Sequence, residues 1–159
     1  MEKVFKEIIE ESKKSLEDTE KKIEALSAEF TEESAEIWVD LKKHFSNIND
    51  KLKVAYNAFE NSAELQGHLG MMEARDRVER IKGSAENFVL KVSKKTKEID
   101  LDTIALKAHL AKMDSKDLWD EKEKEFSTLY SNSKVEAEKL TQRAGKEMNN
   151  IFLKLTEML

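Results

Sequence analysis

Proline is missing from all 159 residues, and glycine occurs only at Gly67, Gly70, Gly83 and Gly145. These two residues break helices most severely, so their scarcity permits very long helical runs. Cysteine is absent as well, which excludes disulfides and thiolate chemistry and fits a cytoplasmic protein. No apolar run approaches the roughly 20 residues that a membrane-spanning helix needs. Residues 1–7 lack the apolar core of a signal peptide, so a soluble, cytoplasmic protein is expected. β-branched residues are sparse and period-2 alternation is rare, which leaves no basis for a sheet.

What fills the chain instead is helix-forming material. Ala, Leu, Glu, Lys and Arg supply 81 of the 159 residues, the share typical of long helices and coiled coils. Lys and Arg number 28 against 33 Asp and Glu, a net charge of −5. The two signs are interleaved, often three or four residues apart, as on solvated helix faces. One lysine cluster, Lys91, Lys94, Lys95 and Lys97, reads as a basic last turn favoured by the helix dipole. No basic face concentrates enough charge to predict a nucleic-acid partner, and the interleaved acids argue against a membrane-surface role.

Apolar residues recur in steps of three and four along three stripes. The first runs from Phe5 through Ile8, Leu16, Ile23, Phe30, Ile37, Phe45 and Leu52 to Phe59, with Ser12, Thr19, Ser34 and Ala55 as thin points. The second runs from Met71 through Val78, Ile81 and Phe88 to Val92. The third includes Phe126, Leu129, Ala137, Leu140, Ala144, Met148, Ile151, Leu155 and Met158. Start signals divide them. Thr31 followed by Glu32 and Glu33 reads as an N-cap, Asn61 with Glu64 as a capping box, and residues 100–103 as a further start. Ser131, Asn132 and Ser133 suggest a break. Helices are therefore expected near 2–28, 31–60, 62–97, 103–130 and 134–158. The predicted fold is all-α: a single domain over 1–159, an elongated antiparallel helical bundle of four to five segments with coiled-coil-like seams.

Residues 61–78 align without a gap to residues 102–119, an internal duplication at a 41-residue offset. Leu65/Leu106, His68/His109, Leu69/Leu110, Met72/Met113 and Asp76/Asp117 are identical. A fainter echo links residues 37–46 to residues 118–127. A period near 40 suits helical units that bury their apolar faces against neighbours.

The repeat supplies the one candidate site. His68, Met72 and Asp76 lie four residues apart along one helix face, and His109, Met113 and Asp117 repeat the pattern. His with Met suits copper or an axial haem pair, and Asp could orient the imidazole. The plainer reading is packing: Met fills gaps, and His bonds to a polar group across the seam. A hairpin turning near residue 100 would set His68 against the 132 region, too far from His109 to share one metal. No ferritin-like Glu-x-x-His pair, HExxH, Walker A, GxSxG or EF-hand pattern occurs, so no catalytic residue, resident metal or cofactor is nominated. Trp38 and Trp119 are candidate partner anchors, since aromatics dominate interface hot spots, although core packing is the plainer reading of both. The expectation is a non-enzymatic interaction or structural protein, with a protein partner or self-association. The alternative is a bundle that binds metal, haem or a small apolar molecule on its His-Met-Asp faces.

Overall fold

The computed structural model describes residues 2–93 and 117–159. Five α-helices account for nearly all of them: α1 (Glu2–Glu24), α2 (Glu32–Glu60), α3 (Glu64–Val92), α4 (Asp117–Asn132) and α5 (Lys134–Met158). A short 3₁₀ turn, Ser27–Glu29, joins α1 to α2. No strand occurs among the described residues, and the all-α bundle expected from composition is the fold. No described helix is long and apolar enough to cross a membrane.

Contacts at both ends of each pair fix the helix directions. Phe5 stacks on Phe59 with ring centroids 5.2 Å apart, while Glu24 pairs with Lys42, so α1 and α2 are antiparallel. Gly70 lies against Ala55 and Phe88 against Trp38, so α2 and α3 are antiparallel too. Asp76 pairs with Lys122 while His68 meets Tyr130, which makes α3 and α4 antiparallel. α5 differs in packing on two helices that run the same way as itself. Ser15 Oγ donates to Asn149 Oδ1 at 2.5 Å, and Thr19 Oγ1 lies 3.3 Å from the Phe152 carbonyl and 3.1 Å from Thr156 Oγ1. Both sequences ascend together, so α1 and α5 run parallel. Arg75 with Glu147 and Glu86 with Lys154 show the same for α3 and α5.

The consequence is a closed ring of four helices, α1, α2, α3 and α5, each packed on two neighbours, with α4 outside on the α3–α5 flank. α4 takes up the reversal between α3 and α5, and so α5 enters the ring's fourth side parallel to both of its neighbours. Two apolar clusters follow. The larger fills the ring, with Phe5, Phe45, Phe59, Phe88 and Phe152 among its fully buried side chains. The smaller lies under α4 and joins Leu69 and Met72 to Trp119, Phe126, Ala137 and Ala144. α3 serves both, which is why residues 67–72 are all buried rather than forming one narrow stripe.

The sequence stripes map onto these seams with instructive exceptions. Ser12 and Thr19 are fully buried where a leucine would ordinarily sit. Thr19 donates back to the Ser15 carbonyl at 2.8 Å, satisfying its hydroxyl inside the helix. Gly145 brings the α5 backbone against Ile8 of α1, Ala137 and Ala144 face the cluster under α4, and Phe152 supplies the bulk in the ring. Leu140, placed in the third stripe by its spacing, instead points outward and is 36% exposed.

The breaks at 30 and 132 are real. Thr31 Oγ1 accepts from the Ser34 amide at 3.1 Å, and Ser133 Oγ accepts from the Glu136 amide at 3.4 Å, so both act as N-caps. The capping box at Asn61 is corrected. Asn61 closes α2: Ala63 N–H donates to the Ala58 carbonyl at 2.8 Å and Ser62 N–H to the Phe59 carbonyl at 3.3 Å. That pair of bonds is a Schellman motif, and Ser62 takes its left-handed position at φ 60°. Ala63 then precedes α3 without any side-chain cap, and Glu64 is engaged by Lys134 instead. The predicted start at residues 100–103 and most of the second repeat copy lie outside the described residues.

Candidate functional site

The His68–Met72–Asp76 stripe of α3 is the strip on which α4 lies. His68 is 1% exposed, and its imidazole is enclosed by rings from three other helices. Phe5 and Phe59 meet it edge-on at 4.6 and 5.1 Å between centroids. Phe126 and Tyr130 of α4 lie at 6.4 and 5.7 Å. Nδ1 is buried with no hydrogen-bond partner. Burial favours the uncharged ring and pushes its pKa down from 6.5 to about 4, against a smaller opposing pull from Glu64. Contact with Tyr130 matches the expected pairing of His68 with the 132 region.

Met72, one turn on, belongs to the apolar cluster beneath α4. Asp76, another turn on, is 4% exposed and ion-paired on two sides. Arg80 approaches Oδ2 from within α3, and Lys122 Nζ donates to Oδ1 at 2.5 Å from α4. At the other end of the strip, Lys134 contacts Glu64 at 2.6 Å and the Tyr130 hydroxyl donates to the same carboxylate at 3.3 Å. Lys134 holds the Glu64 carboxyl below the usual range, and Glu64 in turn raises the Lys134 ammonium. The strip is thus apolar in the middle and tied by charge at both ends. His109 and Met113 lie outside the described residues, and Asp117 is the first residue of α4. Among the described residues, no three His, Cys, Asp or Glu side chains converge closely enough to hold a metal ion.

Trp38 is 7% exposed and lies in the ring core, stacked on Phe88 at 6.1 Å and edge-on to Phe45 at 5.9 Å. Trp119, 9% exposed, forms the wall between two surface grooves that flank the start of α4. One groove, about 310 Å³, has a floor of Met72, Trp119, Phe126, Leu129 and Leu140 and a rim of Arg75, Asp76, Lys122 and Glu125. The second, about 320 Å³, is more polar, with Lys51, Glu73, Arg77, Asp120 and Glu123 around Leu69 and Trp119. Sequence reasoning nominated Trp119 but missed Leu129 and Leu140 as its companions. Leu140 carried a signal: it stands one residue away from the Ala137, Thr141, Ala144 series that packs inward. Comparison of the chain with protein-family models, curated proteins and solved structures finds no match.

Proposed function

We propose that the chain is a non-enzymatic helical-bundle interaction protein that receives a partner helix in the groove beside α4, in the cytoplasm. The observation that carries this reading is the groove itself. An apolar floor of Met72, Trp119, Phe126, Leu129 and Leu140 is ringed by charges, the anatomy of a protein interface with an aromatic anchor. Its rim carries both signs, Arg75 and Lys122 against Glu125. A two-fold contact places the same patch on both partners, so a rim of mixed sign can complement itself. A second copy of this chain is therefore the first partner to test.

Sedimentation equilibrium over a wide concentration range provides the test, with Leu140→Lys as the variant. Leu140 is already partly exposed, so the substitution leaves the monomer's packing intact while placing a charge on the groove floor. Concentration-dependent dimerisation, weakened at least tenfold by Leu140→Lys, supports the reading. A strict monomer, or a dimer indifferent to Leu140→Lys, refutes self-association through this groove.

The alternative, a small-molecule-binding bundle, draws on one specific feature: about 310 Å³ is the lower end of the range for small-ligand pockets. A small apolar molecule, rather than a metal held by His68 and Met72, is the ligand that this floor fits. Displacement of an environment-sensitive apolar dye, lost on Leu140→Lys while the protein stays monomeric, separates this reading from the first.

A further inference from the structure

The His68 enclosure has a function in neither reading. It sits at the node where α4 meets the four-helix ring, and its polar Nδ1 is buried without a partner. Phe5 and Phe59 belong to helices locked into the ring by two neighbours each, whereas Phe126 and Tyr130 belong to α4, which packs chiefly on α3 and α5. Over its described residues α4 is also the shortest of the five helices, with only Trp119 and Phe126 buried among its described side chains, and grooves open on both of its sides. Elements with few buried contacts open first when a protein is stressed locally.

We propose that His68 is an acid-sensitive latch: on taking up a proton it leaves its aromatic enclosure and lets α4 lift off α3, baring the strip from Leu65 to Asp76. The charged groups around it indicate how. On α3, one turn before His68, stands Glu64, a ready partner for an imidazolium at i, i+4 spacing. That carboxylate is now held by the Tyr130 hydroxyl of α4 and by Lys134 of α5. A protonated His68 competes with Tyr130 for it, and Tyr130 is one of the two α4 rings that close the enclosure. On the α1 and α2 side, Lys6 and Glu60, the chain neighbours of Phe5 and Phe59, pair with each other at 3.7 Å. At the far end of the strip Asp76 holds Lys122, the contact that must part last before the whole strip, and Trp119 beside it, is bared. Because the imidazole is pushed down to about 4, the latch works between the ordinary histidine range and that value. Over most of that span the Glu64 carboxylate, held below the usual range by Lys134, keeps its charge.

The two tryptophans make the proposal testable, since Trp119 rides on α4 and Trp38 lies in the ring. Trp38→Phe leaves Trp119 as the sole emitter, and Trp119→Phe leaves Trp38. Each is titrated from pH 7.5 to pH 4 by fluorescence, with and without His68→Gln. The latch predicts a reversible red shift of Trp119 between pH 6.5 and 4, no shift of Trp38 over that range, and loss of the Trp119 shift in His68→Gln. His68→Phe, which fills the enclosure with another ring, is the second variant should His68→Gln destabilise the fold at neutral pH. Trp119 emission that stays blue to pH 4 overturns the proposal. So does a shift that persists without His68, or one that Trp38 shares at the same midpoint.

Discussion

Gly70 and Gly83 lie in the same helix, α3, yet the structure predicts opposite results for the same substitution. A Cβ added at Gly83 meets nothing within 4 Å. Gly83→Ala therefore collects the full helix-propensity gain of roughly 0.5–1 kcal/mol. A Cβ added at Gly70 would lie 2.9 Å from the Ala55 Cβ and 3.2 Å from the Ala55 Cα. Those atoms belong to the backbone and first carbon of α2, so no rotamer change relieves the overlap, and α2 and α3 must separate at their closest crossing. Overpacking of that kind costs about 1–3 kcal/mol, and the propensity gain offsets only part of it. The net expectation for Gly70→Ala is a loss of about 1–2 kcal/mol. Urea unfolding followed by circular dichroism measures both, provided the slope with denaturant is unchanged. At this chain length, each kcal/mol moves the melting temperature by about 2–4 °C. If Gly70→Ala stabilises the protein as much as Gly83→Ala does, the close α2–α3 crossing is wrong.

Three further substitutions and a titration probe other joints. Thr31→Ala should lose about 1 kcal/mol of stability through its missing N-cap bond, whereas Asn61→Ala should change little, because the segment closes α2 without an Asn61 side-chain cap. Ser62→Gly should gain about 1 kcal/mol by easing the left-handed position of the Schellman turn, visible as a higher urea midpoint. Stability itself should depend on pH with a definite sign. The fold prefers neutral His68, so the unfolded chain binds the proton more readily and stability rises with pH. The His68 contribution is fully present above pH 6.5 and is lost as pH falls toward 4, by up to about 3 kcal/mol. His68→Phe should flatten that part of the profile, and an unchanged profile would show that the ring is not held neutral.

Much of the ring was legible in the sequence because its helices obey one period. From Phe5 to Phe59 the stripe positions are buried apart from Ile8 and Phe30, which lie half-buried against the core, since a seam against two neighbours demands that spacing. Even the weak break at Thr31 could be read, because an N-cap is a local chemical device. Three features could not be read that way. The direction of α5 depends on α4 lying outside the ring, which no local pattern encodes. The end of α2 at Asn61 was mistaken for the start of α3, because a polar residue three before Glu64 fits a capping box as well as it fits a C-terminal turn. Leu140 is left exposed because small residues fill the inward positions of α5 around it, Ala137 and Ala144 under α4 and Gly145 against α1, a preference that stripe counting for large side chains overlooks. At the site, the His68, Met72 and Asp76 spacing was correctly singled out as one face. What covers that face, an aromatic enclosure and a salt-bridged helix, comes, apart from Phe59, from residues more than 40 positions away.

The parallel run of α5 against α1 is the feature on which the ring, the outside position of α4 and both grooves depend. Because the chain has no cysteine, a single engineered pair reports on it cleanly. Ser15→Cys with Asn149→Cys replaces two side chains that now bond at 2.5 Å. Under mild oxidation this pair should form an intramolecular disulfide in high yield, whereas Lys3→Cys with Asn149→Cys should not. Efficient closure of the second pair and none of the first would mean that α5 lies against a different part of α1, and the account of the bundle would fall with it.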